Sequence, residues 1–205
     1  MNIMRLCVGN LKGGVGKTMT AVHLALGLSR SGRTLLVDAD PEQPQGYEWS
    51  ATAEDWPVEQ CTVVQNATRD LAKRVAPMLA DYQHVVFDVG PKNPALLRQA
   101  MMLSDDLIIP VAPSTGELRE LPKTFDIAAE IDAVHPLRVA VLLVQVRSGT
   151  RSSTEARELL AELDMPMFDA EVRFLERYRL AFGSVPADLG DYELVLNELA
   201  QEVTA

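Results

Sequence analysis

The sequence has little cysteine and few aromatic residues, and it has no long apolar run. Its 205 residues include two cysteines, Cys7 and Cys61, and aromatic side chains make up 5% of the chain. Both cysteines lie inside apolar runs of strand length, so we expect two buried thiols and no disulfide framework. No apolar stretch approaches the roughly 20 residues that a membrane helix needs, and neither end resembles a secretion signal. These absences predict a cytoplasmic protein without a membrane segment.

Positive charge is also scarce. The chain carries 19 lysines and arginines against 29 acidic residues, which gives a formal net charge of -10. This balance excludes a protein that binds nucleic acid through an overall basic surface, because phosphate contacts need clustered lysine and arginine. A local basic patch remains open.

Apolar runs of strand length alternate along the chain with stretches of helical spacing, and hydrophobic residues make up 47% of it. This alternation predicts an α/β fold, with a mostly parallel twisted sheet and helices on both faces, as a single domain over residues 1–205. The runs predict strands over Arg5–Asn10, Thr34–Asp38, Cys61–Gln65, His84–Asp88, Asp106–Val111 and Leu137–Val146. The helical patterns cover Gly16–Ser31, Thr68–Ala80, Asn93–Met102, Gly116–Val134 and Thr150–Leu163. A short run at Ala170–Phe174 and two helical segments follow.

A glycine-rich turn joins the first predicted strand to the first predicted helix. Its glycines allow a close backbone approach to an anion, and the helix that follows adds its positive end. Lys17 is placed to neutralise β and γ phosphates, and Thr18 offers a hydroxyl to a Mg²⁺ ion bridging them. This pattern predicts a P-loop NTPase fold with a phosphate-binding loop made of Lys12, Gly13, Gly14, Val15, Gly16, Lys17 and Thr18.

Aspartates stand at the ends of two further predicted strands. Asp38 and Asp40 follow the second strand, and Asp88 ends the strand at His84–Asp88. Ligands of open α/β sheets bind beyond the carboxyl ends of the strands, so these carboxylates are candidates for metal and water chemistry. Alone, each aspartate would as readily be a turn former or a helix cap. Beside the phosphate-binding loop, they predict a nucleotide hydrolase.

Four segments together resemble the ParA and MinD family of deviant Walker A ATPases. They are Asn10 with Lys12-Gly-Gly-Val-Gly-Lys-Thr18, Leu35-Leu-Val-Asp-Ala-Asp-Pro41, Phe87-Asp-Val-Gly-Pro91 and Ile109-Pro110-Val-Ala-Pro113-Ser114. The small (ParF-like) ParA-type plasmid partition ATPases, which lack an N-terminal helix-turn-helix domain, match best. Because the loop begins at residue 12, we expect no DNA-reading domain before it.

The resemblance implies roles for individual residues. Lys12, the second lysine of the loop, reaches the partner's phosphates in an ATP-bound homodimer, and it acts in catalysis with Lys17 and Asp40. Asp40 orients the attacking water. Asp38 lies near the metal, and Asp88 holds Mg²⁺ through water. The cofactors implied are ATP and Mg²⁺.

The resemblance also implies which residues lie near the nucleotide base. By resemblance, Pro110 and Pro113 belong to a segment near the base. Met19 stands where many relatives carry a second threonine, so a hydroxyl contact to the α phosphate is absent. Gln145 and Val144 stand near where relatives place a base-contacting side chain, which leaves that contact unassigned.

The resemblance implies a switch ATPase that dimerises on ATP and acts in DNA partition or cargo positioning. A ParB-like adaptor stimulates its hydrolysis, and non-specific DNA is a further partner. The candidates for DNA contacts are three of the arginines in the second half of the chain: Arg147, Arg151 and Arg173. Whether the ATP state forms filaments or associates with the nucleoid stays open.

Two alternatives remain. A metabolic enzyme of the same superfamily would use ATP to activate a carboxylate, and Lys12 disfavours it. A MinD-like positioning ATPase would carry a basic amphipathic helix at its C-terminus. Here the face formed by Tyr192, Val195, Leu196, Leu199 and Val203 is accompanied by acidic residues and no lysine or arginine. We therefore expect this helix to pack on the core, away from any membrane.

Overall fold

A computed structural model describes residues 3–202, with the side chain of residue 202 left out. Within that range, seven parallel strands form one sheet in the order β3-β2-β4-β1-β5-β6-β7. They are β1 Met4–Val8, β2 Thr34–Ala39, β3 Cys61–Gln65, β4 His84–Val89, β5 Asp106–Val111, β6 Arg138–Val146 and β7 Met167–Arg173. The predicted parallel sheet is confirmed.

Helices cover both faces of this sheet. They are α1 Lys17–Ser29, α2 Gln45–Thr52, α3 Leu71–Val75, α4 Pro94–Met101, α5 Thr115–Leu118, α6 Leu121–Asp132, α7 Arg151–Glu162, α8 Glu176–Arg179 and α9 Tyr192–Glu202. A 3₁₀ helix, Ala76–Asp81, follows α3.

Alternate residues of the central strands point to two separate cores. In β1, Cys7 belongs to the core under α4, α6 and α7, whereas Leu6 and Val8 belong to the core under α1, α2 and α9. Central strands buried on both faces need continuous apolar sequence, which is why these runs are rich in valine and leucine. Cys7 and Cys61 are both buried free thiols, as expected.

The structure corrects two helix predictions and adds one helix that was not predicted. The helix expected over Thr68–Ala80 is split into α3 and the 3₁₀ helix near Pro77, which has no N–H for an α-helical bond. The one expected over Gly116–Val134 is split into α5 and α6, again beside a proline, Pro122. Helix α2 was not predicted, because few of its residues face the core: only Gly46 and Trp49 are buried.

The C-terminal helix α9 packs on the core as predicted. Tyr192, Val195 and Leu199 are buried in the core that α1 also covers. Val203, which the predicted apolar face included, lies outside the described residues. Among the helices of residues 3–202, none is long and apolar enough to cross a membrane.

Candidate functional site

A cavity of about 400 Å³ opens at the carboxyl ends of β1, β2 and β4. One side of it, here called the phosphate side, is made by residues 14–19 together with Asp40 and Asp88. The opposite side, here called the base side, is largely aromatic and apolar. The three predicted motifs therefore meet where the sheet topology places ligands.

The phosphate-binding loop takes a backbone shape that only glycine adopts easily. Gly14 and Gly16 have φ angles of 75° and 77°, and α1 begins directly after Gly16. Lys17 is 7% exposed, and its ammonium donates to the Lys12 carbonyl at 2.8 Å across the loop. Burial lowers the pKa of Lys17, while the carboxylates of Asp88 and Asp40 oppose that shift.

Asn10 ties the start of this loop to the neighbouring strand. Its Nδ2 donates to the Pro110 carbonyl at 2.9 Å, and its Oδ1 accepts from the Lys12 N–H at 2.9 Å. The Lys12 side chain is exposed and lies outside the cavity lining, as does Gly13, which packs beside Pro91. An exposed lysine at the loop's edge is free to point away from its own cavity.

Asp38 and Asp40 hold the loop after β2 and the start of α2. Asp38 accepts from the Asp40 N–H at 3.0 Å and from the Tyr47 N–H at 2.9 Å. One oxygen of Asp40, Oδ1, accepts from the N–H groups of Glu42 and Gln43 at 2.9 and 3.0 Å. Burial raises the pKa of Asp38, and its backbone hydrogen bonds oppose the rise.

Two glycines allow these carboxylates to lie against the backbone. A Cβ atom on Gly46 would stand 3.2 Å from Asp38 Oδ2 and 3.6 Å from Asp88 Oδ2. On Gly90 it would stand 2.7 Å from Asp40 Cγ and 3.0 Å from Asp40 Cα. Real Cβ atoms do not come so close, so the loop after β4 and the loop carrying Asp40 touch only because residue 90 is glycine.

Asp88 has an unpaired oxygen suited to a cation. Its Oδ2 is buried and has no hydrogen-bond partner, although the Thr18 side chain bonds to the carboxyl group. Burial, reinforced by Asp38, raises the pKa of Asp88 to about 7. Residues 3–202 contain no group of three histidine, cysteine or acidic side chains that could hold a metal alone. Mg²⁺ takes few ligands from protein and the rest from phosphates and water, so Thr18 and Asp88 fit it as partial ligands.

The base side is built from parts of the chain that the sequence motifs did not mark. Trp49 comes from α2, and residues 172–175 continue β7 into α8. The other lining residues include Val144, Gln145, Tyr178, Phe182 and Tyr192. Gln145 has φ 55°, and its Nε2 donates to the Gly14 carbonyl at 3.3 Å. The one signal of this side in the sequence was the group of aromatic residues between Phe174 and Tyr192, in a segment with little regular spacing.

Pro110 and Pro113 were expected near the nucleotide base. Neither proline lines the cavity. Pro110 is a buried β5 residue whose carbonyl holds Asn10. The cavity lies beside β1 and β6 and extends to β7, so its base side draws on residues 144, 145 and 172–182 instead.

The three arginines proposed for DNA contacts have different surroundings. Arg151 is exposed, with one loose ion pair to Glu155 at 3.5 Å. Arg147 is exposed and stacks over the Phe174 ring, 5.2 Å from its centroid. Arg173 instead lines the cavity and forms a two-pronged ion pair with the buried Asp191, with distances of 2.6 to 3.1 Å. Because this pair engages its guanidinium, Arg173 is removed from the DNA candidates.

Comparison with known proteins agrees with this geometry. The family described as the CobQ/CobB/MinD/ParA nucleotide binding domain matches residues 6–184. The "Maintenance of carboxysome distribution protein A" of Gloeobacter kilaueensis is 34% identical over 184 residues, covering 86% of this chain and 79% of the relative. The protein of the same name from Halothiobacillus neapolitanus is 29% identical, covering 86% and 82%. The "Chromosome partitioning protein ParA" of Myxococcus xanthus is 28% identical over about half of each chain (52% and 51%).

Solved structures share the fold. Apo McdA from Cyanothece superposes with a TM-score of 0.79 at 20% identity, covering 97% of this chain and 98% of that one. A plasmid partition protein from Borrelia burgdorferi bound to AMPPNP gives 0.76 at 17% identity, covering 96% and 98%. The match over residues 6–184 spans most of the chain and includes the phosphate-binding loop, both aspartate loops and all of the base side except Tyr192. This chain is therefore a member of the CobQ/CobB/MinD/ParA nucleotide-binding family, within which its motifs are those of the ParA and MinD ATPases.

Proposed function

We propose that this protein is a ParA-type switch ATPase that dimerises on binding ATP and positions a cargo. The observation that carries the proposal is the meeting of residues 14–18 of the phosphate-binding loop with Asp40 and Asp88 around one cavity, where Asp88 keeps a buried, unpaired oxygen and Asp38 bonds the Asp40 backbone. Relatives are named for carboxysome distribution and for chromosome partitioning. The cargo class is accordingly a DNA molecule or a large protein assembly, reached through an adaptor.

The residues around the cavity divide the work of hydrolysis. The loop N–H groups and Lys17 hold the β and γ phosphates. Thr18 and Asp88 would hold Mg²⁺, which supplies charge neutralisation at the bridging phosphate oxygens when bound. Asp40 orients the attacking water with the carboxylate oxygen that its own loop does not use. Asp38 keeps Asp40 in place by accepting its backbone N–H.

Lys12 supplies the step that makes the ATPase a switch. Its backbone is fixed by Asn10 and by Lys17, whereas its side chain is exposed outside its own cavity. In a face-to-face dimer, that ammonium neutralises phosphates held by the partner subunit. Dimerisation then depends on the γ phosphate, and hydrolysis releases the partner. Turnover is slow until an adaptor stimulates it.

A Lys12→Ala variant tests the switch. We expect it to bind ATP as a monomer, since Lys17 and the loop N–H groups remain, and to dimerise about a hundredfold more weakly than wild type, in keeping with a lost interfacial charge pair. Size-exclusion chromatography with light scattering, in ATP and Mg²⁺ and then in ADP, measures this. Lys73→Ala, at an exposed lysine of α3, is the matched control. A Lys12→Ala protein that dimerises like wild type refutes the role of Lys12.

The same preparation decides between the switch and a metabolic enzyme. Phosphate release with ATP alone, favoured over GTP and dependent on Mg²⁺, supports the switch. Turnover that appears only when a carboxylate and an amine donor are added would instead favour an amide-forming enzyme. A structural neighbour of that kind is a cobyrinic acid a,c-diamide synthase from Mycobacterium smegmatis, with a TM-score of 0.72 at 20% identity.

DNA is the second proposed partner of the ATP state. Arg147 and Arg151 are the exposed arginines that remain after the correction of Arg173. Dimerisation doubles their local density, so binding to arbitrary DNA should require ATP and fall steeply with salt. The double variant Arg147→Glu, Arg151→Glu should lose this binding in an anisotropy titration. Arg69→Glu, Arg74→Glu, at the other end of the sheet, should retain it; equal binding by both double variants would refute the patch.

A further inference from the structure

Helix α2 reaches both sides of the cavity. Its first turn meets the phosphate side, where the Tyr47 N–H donates to Asp38 Oδ2 at 2.9 Å and Gly46 packs against the Asp38 and Asp88 carboxylates. Its middle meets the base side, where Trp49 lines the cavity. Since α2 is only eight residues long, a shift at either end is passed to the other.

Trp49 fastens α2 to the segment of residues 182–184. Its indole Nε1 donates to the Ser184 carbonyl at 2.7 Å, across 135 residues of sequence. Its ring is 1% exposed and lies 5.7 Å, centroid to centroid, from Phe182. One turn later, Thr52 fills the space beside Gly183: a Cβ on that glycine would stand 3.0 Å from Thr52 Cγ2. The segment is thus seated on one face of α2.

We propose that Trp49 is a positioning residue that couples the base-side wall to the Asp38 carboxylate, so that the position of one depends on the position of the other. The 182–184 segment closes the base side only when it is held by Trp49. The same contact holds α2 in the place from which the Tyr47 N–H fixes Asp38, and Asp38 in turn fixes Asp40. Retention of the nucleotide and orientation of the water are therefore set together. This inference rests on the proposed ATPase function.

Trp56 provides a matched control within the same chain. It is also buried, 7% exposed, and its Nε1 also donates to a backbone carbonyl, that of Cys61, at 2.8 Å. That acceptor is only five residues away, and Trp56 does not line the cavity. Trp56→Phe therefore removes the same kind of hydrogen bond without touching either side of the site.

The first experiment compares Trp49→Phe with Trp56→Phe and wild type. Losing the donor removes a part-buried hydrogen bond, which at the upper end of the usual range corresponds to about a tenfold change. In Trp49→Phe we expect release of a fluorescent ADP analogue to be about tenfold faster and kcat to be about tenfold lower. Trp56→Phe should stay within about twofold of wild type in both. A Trp49→Phe protein with unchanged kcat, whether or not its KM rises, shows that Trp49 is only a wall of the base side and overturns the proposal.

A double-mutant cycle tests the link to Asp38 directly. If Trp49 acts through Asp38, adding Trp49→Phe to Asp38→Asn lowers kcat by less than about twofold, because the second change acts on a contact already lost. Multiplicative losses mean that the two residues act independently, and they overturn the proposal. Phe182→Ala, at a half-exposed side chain, gives the same test should Trp49→Phe not fold. We expect it too to speed release and to lower kcat.

Fluorescence gives an observation that is independent of turnover. Trp56→Phe leaves Trp49 as the sole tryptophan, and its emission should change between the ADP and the non-hydrolysable ATP complexes. In Trp49→Phe, the remaining Trp56 should report no difference. Identical emission of Trp49 in both complexes refutes the coupling. If wild type itself neither binds nor hydrolyses ATP, the proposed function fails; if wild type and Trp56→Phe are active and Trp49→Phe matches them, only this inference fails.

Discussion

The two sides of the cavity are built in opposite ways. The phosphate side consists of three short segments at strand ends, each recognisable in its own stretch of sequence, which supply backbone N–H groups, one lysine and three carboxylates. The base side is lined by aromatic rings from α2, α8, α9 and the segments next to α8, with His23 of α1 packed behind them. There, His23 lies 4.6 Å from Tyr192, 5.6 Å from Tyr178 and 5.9 Å from Trp49 between ring centroids.

Burial shifts the pKa of one ionisable group in each region, upward for an acid and downward for a base. On the phosphate side it raises the pKa of Asp88 to about 7. Behind the base side it lowers the pKa of His23 to about 4. Both shifts favour the neutral form, for the same reason, since a charge is costly away from water. The phosphate side can regain that cost by binding a cation, whereas the base side keeps its histidine neutral and uses it for packing.

Removal of Asp40 should have the largest effect, because the proposed function places the hydrolysis chemistry on the phosphate side of the cavity. We expect Asp40→Ala to lower kcat by about a hundredfold or more, as loss of one preorganised catalytic group does, and to keep ATP bound in a long-lived dimer. Phosphate release and light scattering measure the two properties. Asp55→Ala, at an exposed aspartate after α2, is the control. Hydrolysis at the wild-type rate would move the water-orienting role to Asp38.

The pH dependence of stability should separate the two regions next. The neutral His23 contributes stability that is present above pH 6.5 and lost as the pH falls toward 4. Asp88 contributes stability that is present below pH 3.8 and lost as the pH rises toward 7. Between pH 6.5 and pH 5 the two effects oppose each other, each by about 2 kcal/mol.

Two variants should reveal these opposing pH dependences of stability in nucleotide-free protein. Relative to wild type, His23→Gln should gain stability on acidification from pH 6.5 to 5, and Asp88→Asn should lose it. Urea titrations at several pH values measure the free energy of unfolding. His135→Gln, at a half-buried histidine bonded to the Ser104 carbonyl, is the control. Parallel pH profiles for all four proteins would show that burial does not act on the two groups as described.

The smallest effect is expected where the two sides meet, at Gln145. Its hydrogen bond to Gly14 is long, at 3.3 Å, and exposed. We expect Gln145→Ala to weaken ATP binding by only about twofold to threefold, in line with roughly 0.5 kcal/mol for such a bond. Isothermal titration with a non-hydrolysable analogue measures it, with Gln65→Ala, at the exposed end of β3, as control. A tenfold loss would mean that Gln145 contacts the nucleotide itself.

The same contrast explains what could be predicted from the sequence. The strand Asp106–Val111 was predicted to the residue, since buried parallel strands are continuous apolar runs, and so was the half-buried edge strand Cys61–Gln65. The loop from Lys12 to Thr18 and the three aspartates were found because their chemistry demands particular residues at fixed spacing. Their placement around one cavity follows from the strand order.

The base side could not be found in this way. Trp49, Tyr178 and Phe182 come together through packing between elements more than 100 residues apart, and no local spacing marks such contacts. The contact of the Pro110 carbonyl with Asn10 could not be predicted for a related reason, since its neighbours across the sheet are not visible in its own segment. The ion pair of Arg173 could not be foreseen because its partner Asp191 lies beyond α8, 18 residues later.

The contact at Gly90 leaves no clearance between two loops. The loop after β4 lies directly on the backbone and carboxyl group of Asp40, and no side chain stands between them to absorb a displacement. A shift of a few tenths of an ångström at residue 90 is therefore passed directly to the Asp40 carboxylate. If Asp40 orients the attacking water as proposed, the rate of hydrolysis depends on the backbone position of residue 90 as well as on the side chain of residue 40.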